Sequence, residues 1–248
     1  MNTKKLNNKI VFITGASRGI GAAIADRFAE EGADVIFTYV NSVHQATEQE
    51  KKLVAKGVRS KAIRVNSADA NALREAIELS IADFGPIDIL VNNAGIFPSG
   101  NFGDHTISDY EEVMDINVKA VFAASQAVLA SMPDGGRIIS IGSNLADLSV
   151  TGDTVLYSMS KAALQGFTRG LARSAGQRKI TVNLVQPGPV DTDMNPATAP
   201  HADFLRSRMA LSDYGTGEDI AGLVAFLASN EGKYITGSVL TIDGGMNA

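Results

Sequence analysis

Four polar residues have types and spacings that could carry out proton transfer at a carbonyl group. Tyr157 and Lys161 are four residues apart in a predicted helix, so their Cβ atoms lie about 5–6 Å apart on one face. A neighbouring ammonium favours the phenolate, so we expect Lys161 to lower the pKa of Tyr157 and make it a proton donor or acceptor. Ser143 follows a predicted strand, and Asn117 interrupts an apolar helical pattern in which asparagine is unfavourable. The same residues would also fit simpler roles: a half-buried tyrosine, a solvated lysine, a turn-capping serine and a solvent-facing asparagine.

A glycine-rich segment, residues 14–21, lies between the first predicted strand and the first predicted helix. Its glycines, Gly15, Gly19 and Gly21, let the backbone turn sharply and approach a ligand closely. The amino terminus of the following helix offers free N–H groups to a pyrophosphate. The spacing, G-x3-G-x-G, differs from the usual dinucleotide fingerprint, so a tight turn that binds nothing is the alternative.

Short apolar runs alternate with longer helical patterns along the chain. Strands are predicted at 10–13, 34–39, 60–65, 87–91, 136–141, 180–186 and 238–242. Helices are predicted at 19–31, 43–56, 70–84, 108–132, 156–176 and 218–228. Continuous apolar strands are typical of parallel sheets covered on both faces, and the alternation implies right-handed crossovers.

These elements predict an α/β fold in a single domain, residues 1–248. Its core would be a Rossmann-type doubly wound parallel sheet of seven strands with helices on both faces. The segment 192–214, which contains Pro196 and Pro200, fits neither pattern. We expect it to form an insertion over the carboxyl edge of the sheet, where a lid over a substrate would lie.

The composition argues against several other kinds of protein. Lys and Arg number 22 against 27 Asp and Glu, and this net charge of −5 argues against binding to nucleic acid or to an anionic membrane. Without cysteine there is no disulfide scaffold and no thiol catalysis, and the three histidines lie far apart in the chain, so no metal is expected. The apolar run after Lys9 is too short for a secretory signal, so we expect the protein in the cytoplasm.

Five motifs in register resemble the short-chain dehydrogenase/reductase family. They are the loop at 14–21, Asn92-Asn93-Ala94-Gly95, the Tyr157 and Lys161 pair, Pro187-Gly188, and 235–237 leading to Asp243-Gly244-Gly245. Within the family the chain looks like the 3-oxoacyl-carrier-protein reductase type. The resemblance implies a nicotinamide-dependent carbonyl reductase or alcohol dehydrogenase that transfers a hydride between the cofactor and a ketone or aldehyde.

The resemblance also implies a role for each catalytic candidate. Tyr157 would deliver the proton, and Lys161 would bind the nicotinamide ribose and tune Tyr157. Ser143 would orient the carbonyl oxygen, and Asn117 would hold a water that completes a proton relay.

The same resemblance implies a long cofactor site. Its residues would be Gly15, Ser17, Arg18, Gly19, Ile20, Gly21, Tyr39, Asn41, Ser42, Asn66, Ser67, Asn93, Ala94, Gly95, Tyr157, Lys161, Pro187, Gly188, Val190 and Thr192. No carboxylate ends the second strand, where one would bind the ribose 2′-hydroxyl of NAD, and Arg18 suits a 2′-phosphate in charge and shape. We therefore expect NADP(H) to be preferred, with NAD(H) possible. Asn93 has two compatible roles, contact with the ribose and pinning of neighbouring strands.

The substrate is expected to be a small, fairly hydrophobic carbonyl compound or alcohol. The apolar residues predicted to line its pocket are Phe97, Leu145, Leu148, Val150 and Met194, with the segment 199–211 above them. The stretches 163–167 and 186–192 are similar to a bacterial family member that binds cyclic-di-GMP. A nucleotide-sensing regulatory protein on the same fold is therefore the alternative to an enzyme.

Assembly into a homo-oligomer, most simply a tetramer, is a further expectation. Family members commonly pair through the helices predicted here at 108–132 and 156–176, and through their last strands. Small side chains in the first of these helices would allow close approach across a two-fold axis. They are Ala120, Val121, Ala123, Ala124 and Ala127.

Overall fold

Seven apolar runs form the strands of one parallel sheet in the computed structural model, which describes residues 4–248. The strands are β1 (Ile10–Ile13), β2 (Asp34–Tyr39), β3 (Ser60–Arg64), β4 (Ile89–Asn92), β5 (Arg137–Ile141), β6 (Thr181–Pro187) and β7 (Val239–Ile242). Their order in the sheet is β3-β2-β1-β4-β5-β6-β7, and every neighbouring pair is parallel. The predicted doubly wound sheet of seven strands is confirmed.

The helices cover both faces of this sheet. They are α1 (Gly19–Glu30), α2 (Val43–Ala55), α3 (Ala70–Phe84), α4 (Ile107–Met114), α5 (Ala120–Leu129), α6 (Val155–Ala175), α7 (Ala202–Arg206) and α8 (Gly217–Ala228). No helix within residues 4–248 is both long enough and apolar enough to cross a membrane.

Alternation along the strands divides the core into two layers. Val11 and Ile13 of β1 pack with side chains of α1, α2 and α8 on one face. Phe12 of the same strand packs with side chains of α3, α5 and α6 on the other. Because successive strand residues point to opposite faces, a continuous apolar run is what such a doubly covered sheet requires.

The direction in which successive strands are added to the sheet reverses between β1 and β4. β1 pairs with β2 on one side and with β4 on the other, so the crossovers leave in opposite directions. A crevice opens outside the carboxyl ends of the strands at such a switch point. The glycine-rich loop leaves β1 at this place.

The helix predicted at 108–132 differs from a regular α-helix in its middle. Residues Asp115–Lys119 form a π-helical turn between α4 and α5. The sequence pattern was tested only for the repeat of a regular α-helix, so it could not predict this wider turn. Asn117 lies in this turn and is 1% exposed, so its predicted solvent-facing alternative is wrong.

The small residues of α5 do not form an outer face, and this part of the assembly prediction is wrong. Ala120, Val121, Ala123 and Ala124 are each at most 4% exposed, and Ala127 is half-buried against the same core. They are buried because α5 packs closely against α3, β4 and α6 within the same chain. Phe122 points outward from this helix instead.

The segment 192–214 folds back over the carboxyl edge of the sheet and contains α7. Val190 forms a β-bridge with Gly215, which closes the segment at its base. Within it, Asn195 Oδ1 lies 2.9 Å from His201 Nε2 and accepts a hydrogen bond from the Tyr214 hydroxyl at 3.4 Å. We call residues 192–214 the lid segment.

Candidate active site

A cleft of about 840 Å³ runs along the switch point under the lid segment. Every residue predicted for the cofactor site lines it, from Asn66 and Ser67 at one end to Tyr157 and Lys161 at the other. Ser143 also lines the cleft, whereas Asn117 is buried behind its wall. Residues that the sequence placed on six different strand ends therefore meet in one continuous site.

The glycine-rich loop has the geometry that its sequence predicts. Gly15 and Gly19 have φ angles of +67° and +57°, in the left-handed region where a side chain would be strained. Arg18 is the N-cap of α1, and its side chain does not cap the helix. The first N–H groups of α1 consequently keep their capacity to bind an anion. The loop thus fits the pyrophosphate of a dinucleotide.

Asn93 pins the glycine-rich loop to the end of β4. Its Nδ2 atom donates hydrogen bonds to the carbonyl oxygens of Thr14 at 3.0 Å and Gly15 at 2.7 Å. In return, Thr14 Oγ1 accepts bonds from the backbone N–H groups of Asn93 and Ala94. Of the two roles predicted for Asn93, the pinning role is the one its amide performs in this structure.

The far end of the cleft is formed by residues after β2 and β3. Tyr39, Val40, Asn41 and Ser42 line it without a carboxylate at the end of β2, as the sequence indicates. Arg18 reaches the same cleft, but its Nη1 atom donates to Asp193 Oδ2 at 3.0 Å. This ion pair joins two segments 175 residues apart and was not predicted.

The Tyr157 side chain is half-buried and the Lys161 side chain is buried in the wall of the cleft, and desolvation controls how both titrate. Burial raises the pKa of Tyr157 to about 12, and the nearby Ser143 hydroxyl acts in the opposite direction. Burial lowers the pKa of Lys161 to about 8. The net pKa shift of Tyr157 is therefore opposite to the prediction that Lys161 lowers it, because desolvation of the phenolate dominates.

Lys161 is held close to Tyr157 without a direct hydrogen bond between them. Its Nζ atom donates to the carbonyl oxygen of Ile141 at 2.9 Å, at the end of β5. The same atom lies 5.6 Å from the centroid of the Tyr157 ring. The i, i+4 spacing on α6 thus brings both groups to one wall, and a strand carbonyl fixes the ammonium.

The Asn117 side chain is fully engaged behind this wall. Its Oδ1 accepts from the Ile96 N–H at 2.9 Å, and its Nδ2 donates to the Ile96 carbonyl and to Ser160 Oγ, both at 3.0 Å. Ser160 Oγ in turn donates to the Tyr157 carbonyl at 2.7 Å. The π-helical turn is thereby tied to the helix that carries Tyr157 and Lys161.

Gly95 lies against the Asn117 and Lys161 side chains at the wall of the cleft. A Cβ atom on Gly95 would lie 3.2 Å from Asn117 Oδ1 and 3.3 Å from Lys161 Nζ. Both distances are shorter than an ordinary methyl contact, so alanine would fit here only if one of the two neighbours moved. Glycine at this position therefore leaves both polar groups undisturbed.

Ser143 begins a short helical turn at the end of β5. Its Oγ atom accepts a hydrogen bond from the Leu145 N–H at 3.2 Å, which is the capping role predicted as its alternative. The hydroxyl proton remains available to a ligand in the cleft. The next residue, Asn144, anchors the C-terminal turn by accepting from Asn247 Nδ2 at 2.8 Å, and Met246 of that turn lines the cleft.

Apolar side chains surround the Tyr157 end of the cleft. Phe97 packs edge to face on the Tyr157 ring with a centroid distance of 4.6 Å. The other apolar lining residues at this end are Leu145, Val150, Met194, Phe204 and Leu205. Leu148 was predicted to join them, but it is 46% exposed and does not line the cleft.

Sequence reasoning missed Ser160, Asp193 and the Ile141 carbonyl. Ser160 lies inside the Tyr157-to-Lys161 motif, so its place on the helix could have raised the question of its role. Asp193 follows Thr192 directly, yet no local pattern indicates that it reaches Arg18. A backbone carbonyl carries no sequence signal at all.

A dinucleotide-sized cleft at the switch point of a parallel sheet, with a tyrosine and lysine pair at one end, defines a nicotinamide-dependent oxidoreductase. The family model described as enoyl-(acyl carrier protein) reductase matches residues 15–247. Together with the relatives below, this match shows that the chain belongs to the short-chain dehydrogenase/reductase family and is an NAD(P)-dependent enzyme of that family.

Three similar proteins differ in what their descriptions say. The cyclic-di-GMP-binding biofilm dispersal mediator protein of Escherichia coli (strain K12) is 44% identical over 240 residues, covering 97% of this chain and 98% of that protein. A 3-oxoacyl-[acyl-carrier-protein] reductase of Staphylococcus epidermidis is 38% identical over 242 residues, covering 96% and 99%. The crystal structure of a blue fluorescent protein from a metagenomic library, in complex with NADPH, is 53% identical with a TM-score of 0.97, covering 98% and 100%.

Proposed function

We propose that the protein is an NADPH-dependent reductase of apolar ketones or aldehydes, acting in reverse on the corresponding alcohols. The observation that carries this proposal is the convergence of Ser143, Tyr157 and Lys161 on one end of a cleft whose opposite lining is apolar. Such a wall supplies hydrogen-bond donors to a carbonyl oxygen, and the apolar side chains bind the remainder of the substrate.

The cofactor would extend from the end of β2 to Lys161. The N–H groups at the start of α1 would hold its pyrophosphate, and Arg18, Asn41 and Ser42 would surround the 2′-phosphate. When bound, NADPH would supply the hydride from C4 of its nicotinamide ring. The NADPH complex of the 53% identical metagenomic protein supports this choice over NADH.

In the reduction, the carbonyl carbon accepts the hydride and the oxygen accepts a proton. Ser143 Oγ donates a hydrogen bond to the carbonyl oxygen and holds it towards Tyr157. The Tyr157 hydroxyl transfers its proton to that oxygen, which gives the alcohol and a phenolate. A pKa of about 12 keeps Tyr157 protonated at neutral pH, as a donor must be.

Lys161 returns the enzyme to its starting state. Its ammonium stabilises the phenolate formed in the step above. With a pKa of about 8 it can donate a proton to the phenolate at neutral pH, which restores the Tyr157 hydroxyl. Asn117, buried behind the same wall, would hold the water from which Lys161 is reprotonated.

The test is the Tyr157→Phe variant, which removes the proton donor but almost no volume. We expect the rate of NADPH oxidation with a panel of apolar ketones to fall at least ~100-fold, with NADPH binding retained. Tyr234→Phe is the matched control, because Tyr234 is 98% exposed and distant from the cleft lining. Wild-type turnover by Tyr157→Phe would refute the mechanism.

A second candidate is a regulatory protein that binds cyclic-di-GMP in the same cleft. The 44% identity to the Escherichia coli mediator protein favours it, and the N–H groups of α1 would also suit the phosphates of a cyclic dinucleotide. Calorimetric titration with cyclic-di-GMP, with and without saturating NADPH, separates the two. Micromolar binding that NADPH abolishes, together with no turnover of any ketone, would favour the sensor.

We further propose that the chain forms a homotetramer. Phe122 of α5 and Phe167 of α6 lie edge to face with centroids 6.5 Å apart, and Phe122 is 53% exposed. β7 is an edge strand of the sheet, and Val239 and Leu240 on it are only half-buried. Two separate self-complementary surfaces of this kind generate a tetramer with dihedral symmetry.

A further inference from the structure

The Arg18 and Asp193 side chains form an ion pair across the mouth of the cofactor cleft. The Nη1 to Oδ2 distance is 3.0 Å, and both residues line the cleft. Arg18 belongs to the glycine-rich loop after β1, whereas Asp193 belongs to the lid segment. Through this pair, a carboxylate of the lid segment contacts the guanidinium that is proposed to bind the 2′-phosphate.

The turn that carries Asp193 is fixed next to the glycine-rich loop. Thr192 and Asn195 exchange backbone hydrogen bonds of 3.4 and 3.1 Å on either side of Asp193. The Thr192 methyl group lies 3.6 Å from where a Cβ on Gly19 would be. Asp191 Oδ1 accepts the Ala197 N–H at 2.8 Å, which closes the turn. The carboxylate of Asp193 is thus held within reach of Arg18 by the backbone on both sides.

We propose that Asp193 is a specificity-determining residue for the nicotinamide cofactor: its carboxylate competes with the 2′-phosphate for the Arg18 guanidinium and so limits the preference for NADPH over NADH. This inference rests on the proposed function, in which Arg18 binds that phosphate. NADH presents a hydroxyl group at the same place, so the competition acts on NADPH alone.

The size of the effect follows from exposure. The two side chains are 57% and 59% exposed, so water and salt screen their attraction. Exposed ion pairs of this kind change an equilibrium constant by at most about five-fold. Repulsion between the Asp193 carboxylate and a dianionic phosphate near the same guanidinium acts in the same direction. We therefore expect a change of about three- to ten-fold in the dissociation constant of NADPH.

The experiment measures the dissociation constants of NADPH and NADH from nicotinamide fluorescence, using the full-length protein without substrate. Asp193→Asn is expected to bind NADPH three- to ten-fold more tightly and NADH unchanged, and the gain is expected to shrink at high salt. Asp213→Asn is the matched control: it removes the same charge from an exposed residue of the lid segment that forms no ion pair within residues 4–248. Weaker binding of NADPH by Asp193→Asn, or an equal change for both cofactors, would overturn the inference.

Arg18→Ala, alone and combined with Asp193→Asn, separates this inference from the proposed function. Arg18→Ala is expected to weaken NADPH binding about 10- to 100-fold and to leave NADH nearly unchanged. In that background, Asp193→Asn is expected to change NADPH binding less than it does alone, because only the direct repulsion of the phosphate remains. If Arg18→Ala leaves NADPH binding intact, the proposed phosphate site and this inference both fail. If Arg18→Ala behaves as expected but Asp193→Asn alone changes nothing, only the role of Asp193 fails.

Discussion

Asn117 donates a hydrogen bond to Ser160 Oγ at 3.0 Å, and this bond joins the π-helical turn to α6 three residues after Tyr157 and one before Lys161. Ser160 is 0% exposed and passes the connection on to the Tyr157 carbonyl. The serine therefore positions the residues around the proposed proton donor and its lysine without touching the substrate.

Ser160→Ala is expected to lower kcat for ketone reduction about 10-fold with little change in KM. The variant leaves the Asn117 amide without one buried partner, which costs about 1–3 kcal/mol and loosens the turn. Ser160→Cys, which keeps a weak acceptor, is expected to recover part of the rate. Steady-state kinetics across pH 6–10 should also show a changed profile for the alanine variant.

Ser80→Ala provides the control for this prediction. Ser80 is likewise 0% exposed and donates to a helix carbonyl, that of Ala76 at 2.6 Å, but it lies on α3 away from the cleft lining. It should lose stability as Ser160→Ala does and keep its kcat. Equal loss of activity in both variants would mean that Ser160 has a structural role only.

Gly95→Ala is expected to fold and to lose about 10-fold in kcat. The added methyl group would press on Asn117 Oδ1 and Lys161 Nζ at 3.2 and 3.3 Å, and Lys161 is the one that can move. Its bond to the Ile141 carbonyl would weaken, so the proton relay would slow. Gly170→Ala on α6, where nothing lies within 4 Å of the new methyl group, should keep full activity. Full activity of the Gly95→Ala variant would show that the proton relay does not depend on this position.

The Tyr157 phenol of the cofactor-free protein is expected to ionise near pH 12, above its ordinary value of 10.0. Between pH 10.0 and about pH 12, the folded protein keeps this proton while the unfolded chain loses it. The free energy of unfolding contributed by this group therefore falls as the pH rises through that range. Ultraviolet difference titration of the phenolates measures it. The chain has five tyrosines, and subtraction of Tyr157→Phe isolates one of them. A Tyr157 step below pH 10 would contradict the dominance of burial.

The wild-type protein is expected to have a molar mass well above the 26.0 kDa of one chain, near four times that value. Phe122→Lys places a charge on the exposed face of α5 and should lower the mass measured by light scattering at micromolar concentration. Leu79→Lys on α3, where Leu79 is 59% exposed, should leave the assembly intact. A wild-type mass of one chain would exclude the tetramer.

The sequence by itself determined the layout of the protein. Apolar runs such as Ile10–Ile13 and the helical patterns between them indicated seven parallel strands, because continuous apolar runs and the helical repeat of 3.6 residues are local properties of the chain. The glycine-rich loop around Gly15 indicated a nucleotide site at the carboxyl edge of the sheet, and the resemblance to the family extended that site to Tyr157 and Lys161.

Only the tertiary structure decided how these residues act together. The Arg18 and Asp193 pair and the Asn117, Ser160 and Ile96 bonds join segments that no local pattern relates. Burial in the packed cleft wall, rather than the neighbouring charge, sets the direction of the Tyr157 pKa. Packing within the chain also buried the small face of α5 and left Phe122 exposed, because the distance between two elements depends on everything packed between them.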